Sequence, residues 1–340
     1  MFDFITGLNE AIITLIVVTL IINFFSNKLG DALHVLGIKL KMPDSVRGAT
    51  LDAVASSFPE FSTAMIAVLA TASNPTAFDD VGVPTIAGSG VFNILVIPML
   101  SLFAYKGLKL EIHADRKSIL RDAIFYIVSL TVLVFFGMQS SYSLWAGVIL
   151  VGIYVVYVTY LITQTRKHKQ CILDASELEH DMKYREILMW TVLGISAIWI
   201  GIDAIVKSVM IISTELNIPA FVVSVVILAS ATSIPDTILS IKSARRGDIN
   251  GAVSNAVGSN IFNICMCLGL PMIVYYFVNG YNLASDLSNN LVLIGFLYIS
   301  MIVTTILLVK KKGTVKKDGY FMLATYVIFI GYIVSQVIKL

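Results

Sequence analysis

Runs of about 20 mostly apolar residues, the length that crosses a bilayer as a helix, recur along this sequence near 10–26, 46–72, 82–105, 118–137, 143–163, 187–211, 219–241, 251–278, 290–309 and 320–338. A backbone in hydrocarbon must satisfy its own hydrogen bonds, so each run is expected to be helical. The expected fold class is an all-α, multi-pass integral membrane protein of ten transmembrane helices. Only 14% of the 340 residues are charged and the mean hydropathy is +0.86, too little polar surface for a water-soluble domain. Met1-Phe-Asp-Phe lacks a basic leader and no small-residue cleavage site follows, so the first run is expected to stay as a helix. Cys171, Cys265 and Cys267 are too few for a disulfide framework and read as free thiols, the last two as packing residues within a span.

Lys and Arg are retained on the cytoplasmic side of a membrane. Segments 26–47, 106–121, 166–186, 242–248 and 310–317 hold 22 of the 24 basic residues, and they are every second loop. The intervening loops carry Asp79 and Asp80, Gln139 to Ser143, Glu215 and Asp286. Both termini are therefore expected outside. The net charge of +2 gives no reason to expect nucleic acid, because the basic residues lie where helices end among phospholipid headgroups.

The sequence also matches itself. Ala55-Ser-Ser-Phe-Pro-Glu60 returns as Ala231-Thr-Ser-Ile-Pro-Asp236, and Gly88-Ser-Gly-Val-Phe-Asn-Ile94 returns as Gly258-Ser-Asn-Ile-Phe-Asn-Ile264. Pro43 and Pro219 keep the offset of 176 residues that separates Pro59 from Pro235. Five spans to a copy is an odd number, so the second copy enters the membrane from the other side. The reading is two inverted halves, 1–163 and 187–340, joined by a short cytoplasmic linker, 164–186, with no room for a regulatory domain. Inverted repeats are a transporter architecture with the substrate site at the midplane.

Glu60 and Asp236 each fall inside an apolar span, where a carboxylate costs about 3 kcal/mol or more unless paired, solvated or bound to a cation. Each follows a proline, which withholds a helical hydrogen bond, and a hydroxyl cluster, Ser56 and Ser57 or Thr232 and Ser233. Hydroxyls, carboxylates and freed carbonyls are hard oxygen ligands for Ca²⁺ or Na⁺. On a continuous helix Ser56 and Glu60, or Thr232 and Asp236, share a face. In the second motif Ser89 pairs with Asn93 and Ser259 with Asn263 at the same spacing, while Gly88 and Gly258 permit close backbone approach. Read blandly, the small residues are ordinary interhelical contacts. That reading does not cover two symmetric carboxylates.

The two motif pairs resemble the alpha repeats of the cation/Ca²⁺ exchanger superfamily, and Gly48 to Glu60 with Ala231 to Asp236 look closest to its K⁺-dependent Na⁺/Ca²⁺ exchanger branch. The resemblance covers most of the chain. It implies ten helices, a Ca²⁺ site with both acidic residues as ligands, neighbouring Na⁺ sites, and alternating access by movement of the first helix of each half. By motif matching, Glu60, Asp236, Ser56, Ser57, Thr232, Ser233, Ser89, Ser259, Asn93 and Asn263 would line the site. Departures exist: Asn263 stands where that branch has an acidic residue, Ala55 and Ser57 replace more typical residues, and the first hydroxyl motif lacks glycine. In the family Asn263 goes with loss of K⁺ dependence. With two carboxylates left, few monovalent cations are needed in exchange.

The expected function is secondary antiport of Ca²⁺ against Na⁺, with H⁺ as the alternative counter-ion because burial disfavours a carboxylate's charged form, and with another divalent cation as the alternative to Ca²⁺. An intramembrane aspartyl enzyme would not need the hydroxyls and asparagines around the acid pair, so no enzyme is expected. A cation channel would usually need a ring of subunits, whereas this chain supplies both halves and requires no oligomer. No phosphate-binding Gly-x-x-x-x-Gly-Lys-Ser/Thr loop occurs, so ATP is not expected as the driver. The expected partners are the lipid bilayer, a bacterial or archaeal plasma membrane, and inorganic cations, with no cofactor. Asp52, two turns before Glu60, reads as a residue solvated in the cytoplasmic vestibule near Arg47, or more sharply as an access ligand or proton relay.

Overall fold

The structure, a computed structural model, describes residues 4–42, 47–72, 74–105, 115–139, 141–167, 182–245, 247, 249–285, 290–310 and 313–338. Pro43, Cys171, Asp286 and most of the expected linker lie outside the described residues.

The described chain is almost wholly helical: α1 (Leu8–Lys39), α2 (Thr50–Ser56), α3 (Phe58–Ala70), α4 (Phe78–Ala104), α5 (Arg116–Gly137), α6 (Leu144–Lys167), α7 (Tyr184–Leu216), α8 (Ala220–Thr232), α9 (Ile234–Arg245), α10 (Gly251–Asn279), α11 (Leu291–Leu308) and α12 (Asp318–Ile338). Among the described residues eight helices are long and apolar enough to cross a membrane, and two pairs qualify together as bent spans: α2 with α3, at 61°, and α8 with α9, at 44°.

Both bends sit where the sequence motifs repeat. Ser57 (φ −98°, ψ 10°) separates α2 from α3, and Ser233 (φ −82°, ψ −1°) separates α8 from α9. Pro59 and Pro235, one residue into the following helices, have no N–H to continue the ladder across the junction. Beyond each break the helix resumes in the same way, with Phe61 N–H donating to Ser57 O at 3.0 Å and Thr237 N–H to Ser233 O at 3.1 Å.

Among the described residues four π-helical turns add to this irregularity, at Gly48–Asp52, Phe78–Gly82, Ser224–Leu228 and Asn263–Leu268. Such turns collect at functional sites because they rotate the side chains that follow. All four lie on the helices that carry the repeated motifs.

The helices are layered by burial. α4 is enclosed along most of its length and packs on α9, α10, α11 and α12, whereas α1 and α12 have the least buried apolar windows of the eight long helices. Ile13, Leu20, Phe24, Phe135, Leu188, Phe277, Ile306, Phe321 and Ile328 are exposed, apolar side chains placed to meet lipid acyl chains.

α1 and α7 overrun the expected spans by several residues. They lie along each other, with Gly194 admitting Leu29 and Gly201 admitting Ile22 and Val18. Past the apolar stretch, Lys28 covers the Trp190 ring at 5.5 Å and Lys39 the Tyr184 ring at 5.4 Å. Lysine is a good helix former, and α1 remains helical through these polar turns. Elsewhere a two-residue antiparallel bridge, β1 (Ser141–Tyr142) with β2 (Leu283–Ala284), joins the segment before α6 to the one after α10.

Candidate ion-binding site

Glu60 and Asp236 are both fully buried, and each begins the second half of a bent span. α4 runs between them. Ser89 donates to Glu60 Oε1 at 3.1 Å and shares a 2.8 Å hydrogen bond with Ser233 Oγ. One turn on, Asn93 Nδ2 donates to Asp236 Oδ2 at 3.1 Å. From α10, Ser259 donates to Asp236 Oδ1 at 3.0 Å. One hydrogen-bonded cluster thus joins α3, α4, the α8–α9 bend, α9 and α10.

The bends overturn one expectation. Continuous helices would put Ser56 beside Glu60 and Thr232 beside Asp236. Instead the breaks at Ser57 and Ser233 turn the hydroxyls across, so that Thr232 lies against Glu60 and Ser56 against Asp236. The i,i+4 rule fails because the helix axis changes direction between the two members of each pair. Each carboxylate is attended by a hydroxyl from the opposite half of the chain.

Gly88 and Gly258 also differ. A Cβ at Gly88 would stand 2.7 Å from Val225 O and 2.8 Å from Ala229 Cβ, so α4 touches the α8 backbone there. At Gly258 the nearest atom is Tyr157 Oη at 3.9 Å. Close approach is required at the first glycine and not at the second.

The cluster leaves several buried polar atoms without hydrogen-bond partners: Glu60 Oε2, Ser57 Oγ, Asn93 Oδ1 and Asn263 Nδ2. An unsatisfied buried polar atom costs about 1–3 kcal/mol, more when charged, and these oxygens belong to groups that take hard cations. Asn263 presents its nitrogen as placed, with Cys267 Sγ 3.4 Å from Oδ1, and a half-turn of its amide exchanges the two ends. The donor set fits a cation of Ca²⁺ or Na⁺ type: two carboxylates, with neutral hydroxyl and amide oxygens. Among the described residues no group of three His, Cys, Asp or Glu side chains gathers to hold a metal, so the negative charge here comes from the acid pair.

Three residues near the site escaped the sequence reading. Asn260, fully buried, accepts from Asn93 Nδ2 at 3.2 Å and donates to Gly90 O at 2.9 Å. Asn255 lies against Asp236. Cys267, taken for a packing residue, reaches Asn263 and, at 3.8 Å, Ser57 O; Cys265 packs away from the site, 3.1 Å from Ser129 Oγ. The signal for Asn260 was the mismatch of Gly-Ser-Asn with Gly-Ser-Gly in otherwise matching motifs.

Asp52 is set apart from the cluster. His34 Nδ1 lies 3.2 and 3.3 Å from its two oxygens and Arg47 Nε 3.6 Å from Oδ2, with the Asp52 side chain 15% exposed. It is a paired residue tying α1 to α2, more than a solvated one.

Comparison with known proteins bears on the family and the fold. Sodium/potassium/calcium exchanger Nckx30C of Drosophila melanogaster is 40% identical over 131 residues, 38% of this chain and 14% of the relative. Sodium/potassium/calcium exchanger 2 of Gallus gallus is 39% identical over 131 residues, again 38% of this chain and 19% of the relative. The matches thus span less than a fifth of those animal proteins, and they lend nothing to a bacterial or archaeal origin. Among solved structures, an H⁺/Ca²⁺ exchanger CAX superposes with a TM-score of 0.73 at 14% identity, over 99% of this chain and 90% of the other. The sodium-calcium exchanger NCX_Mj does so with a TM-score of 0.63 at 20% identity, over 94% and 97%. These likenesses show a shared fold. Since the family described as Sodium/calcium exchanger protein matches residues 10–163 and 187–335, this chain belongs to that family and is a multi-pass membrane protein.

Proposed function

We propose that this chain is a secondary antiporter that exchanges Ca²⁺ for Na⁺ at a site held by Glu60 and Asp236, with Ser56, Ser57, Thr232, Ser233, Ser89, Ser259, Asn93 and Asn263 completing it. The observation that carries the reading is the buried acid pair inside a shell of hydroxyls and amides that leaves Glu60 Oε2, Asn93 Oδ1 and Ser57 Oγ unsatisfied. Such a shell is suited to a cation.

In this reading each bent pair is one span, the chain crosses the membrane ten times, and residues 1–163 and 187–340 are inverted halves with both termini outside. The matched bends at Ser57 and Ser233 support the pairing. Ca²⁺ and Na⁺ occupy overlapping positions in turn, so neither crosses without the other. Asn263, neutral where the K⁺-dependent branch has an acid, leaves nothing to compensate a co-transported K⁺, and exchange is K⁺-independent.

The test is ⁴⁵Ca²⁺ uptake into proteoliposomes preloaded with Na⁺, with K⁺, or at acid internal pH, for wild type, Glu60→Gln and Asp236→Asn. Uptake that needs internal Na⁺ and is lost in both variants supports the proposal. Uptake driven by pH alone keeps the site and replaces the counter-ion by H⁺. Variants that transport like wild type would sink the site assignment.

A further inference from the structure

The two hydrogens on Asn93 Nδ2 are directed to two acceptors, Asp236 Oδ2 at 3.1 Å and Asn260 Oδ1 at 3.2 Å, and the oxygen at the other end of the same amide is buried without a partner. An amide's two ends have nearly the same shape, so only hydrogen bonding decides which faces a given direction. Asp236 is an unreliable guide for Asn93, because in the proposed function its carboxylate binds a cation and is released during each cycle. Asn260 carries no charge and keeps one role throughout.

Asn260 is itself fixed. Its Nδ2 donates to the carbonyl of Gly90 at 2.9 Å, which obliges its oxygen to face Asn93. Gly90 occupies in the first motif the place that Asn260 occupies in the second. A Cβ at Gly90 would stand 2.6 Å from Leu297 Cδ2 and 3.3 Å from Tyr126 Oη, so the glycine keeps the α4 backbone in close contact with these neighbours while its carbonyl receives the Asn260 amide. Gly90 O orients Asn260, and Asn260 orients Asn93.

We infer that Asn260 is a positioning residue that holds the Asn93 carboxamide with its oxygen, not its nitrogen, toward the transported cation. The inference rests on the proposed exchange at this site. Without Asn260 the amide is held by Asp236 alone and is free to turn over between binding events, so that an arriving cation must first bring its oxygen back.

The experiment uses initial rates of ⁴⁵Ca²⁺ uptake by the full chain in proteoliposomes, for wild type, Asn260→Ala, Asn93→Asp and the double variant. Asn260→Ala is expected to raise the KM for Ca²⁺ about tenfold, the effect of losing one orienting hydrogen bond beside a charge, with the maximal rate within about twofold. An aspartate at position 93 offers oxygen either way round. Adding Asn260→Ala to Asn93→Asp is therefore expected to leave KM unchanged, a coupling that a purely structural role would not produce.

An unchanged KM in Asn260→Ala, or an equal rise in both backgrounds, overturns the inference. If Asn260→Ala is not monodisperse, Asn260→Asp, which still accepts from Asn93, is expected to stay within about threefold of wild type, and a tenfold rise there overturns it equally. A wild type that exchanges no Ca²⁺ under any gradient overturns the proposed function and this inference together; a wild type that exchanges while Asn260→Ala matches it overturns this inference alone.

Discussion

Asn93 on α4 donates its side-chain amide to the carboxylate of Asp236, 143 residues later in the chain, at 3.1 Å. That bond makes α4 a structural part of the opposite acid's surroundings. Asn93→Leu, close in shape but without polar atoms, withdraws a donor from a buried carboxylate and an oxygen from the proposed site. We expect a loss of Ca²⁺ exchange of about tenfold or more, with the protein still monodisperse in detergent; ⁴⁵Ca²⁺ uptake at fixed protein density reads it.

The unequal glycines give a paired test of packing. Gly88→Ala puts a methyl group 2.7 Å from the backbone oxygen of Val225, which cannot rotate away. The variant is expected to lose about 1–3 kcal/mol, the usual cost of overpacking, seen as a lower midpoint of thermal unfolding in detergent. Gly258→Ala meets only Tyr157 Oη at 3.9 Å and should keep the wild-type midpoint.

Charge counting constrains stoichiometry. Two carboxylates are neutralised equally by one Ca²⁺ or by two monovalent cations, and Asn263 adds no third charge. Exchange of one Ca²⁺ for two Na⁺ moves no net charge, so a membrane potential set with valinomycin and a K⁺ gradient should change the uptake rate by less than about twofold. A steep dependence on potential would mean that further monovalent cations accompany each cycle.

Outside the membrane-spanning part, Asp115 caps α5. Its carboxylate accepts from Ser118 Oγ at 2.6 Å and from Lys117 N–H at 3.2 Å. The Ser118 hydroxyl foremost, then the backbone donors, hold its pKa below the ordinary value. A depressed pKa gives stability that is present above the unfolded value and lost as the pH falls through the folded one. Asp115→Ala should therefore cost about 1 kcal/mol at neutral pH, as a lost N-cap does. Thermal midpoints of variant and wild type should converge when the buffer is taken below the usual carboxylate range.

Much of this was legible beforehand. Apolar run length located the helices, because hydrocarbon leaves the backbone no alternative, and the matching motifs brought Glu60 and Asp236 forward as a pair. Periodicity misled at Ser56 and Thr232, since i,i+4 reasoning assumes a straight axis and both helices bend just before the acids. Asn260 was marked only by its mismatch with Gly90 between the two motifs; that it bonds the Gly90 carbonyl and the Asn93 amide follows from the packing of α4 on α10, which residue identities do not give. The lengths of α1 and α7 exceeded their apolar windows because hydropathy marks the end of a span and not the end of a helix.

The hydrogen bond between Ser89 and Ser233 spans 144 residues, and that interval is also a time. A ribosome adds about 5–20 residues per second, so Ser89 is made roughly 7 to 29 s before its partner. For that long Glu60 is in place without the second half that encloses it. The nascent first half must wait in the membrane with its acidic residue still able to reach water or a proton, and the last steps of folding enclose that residue with the second half.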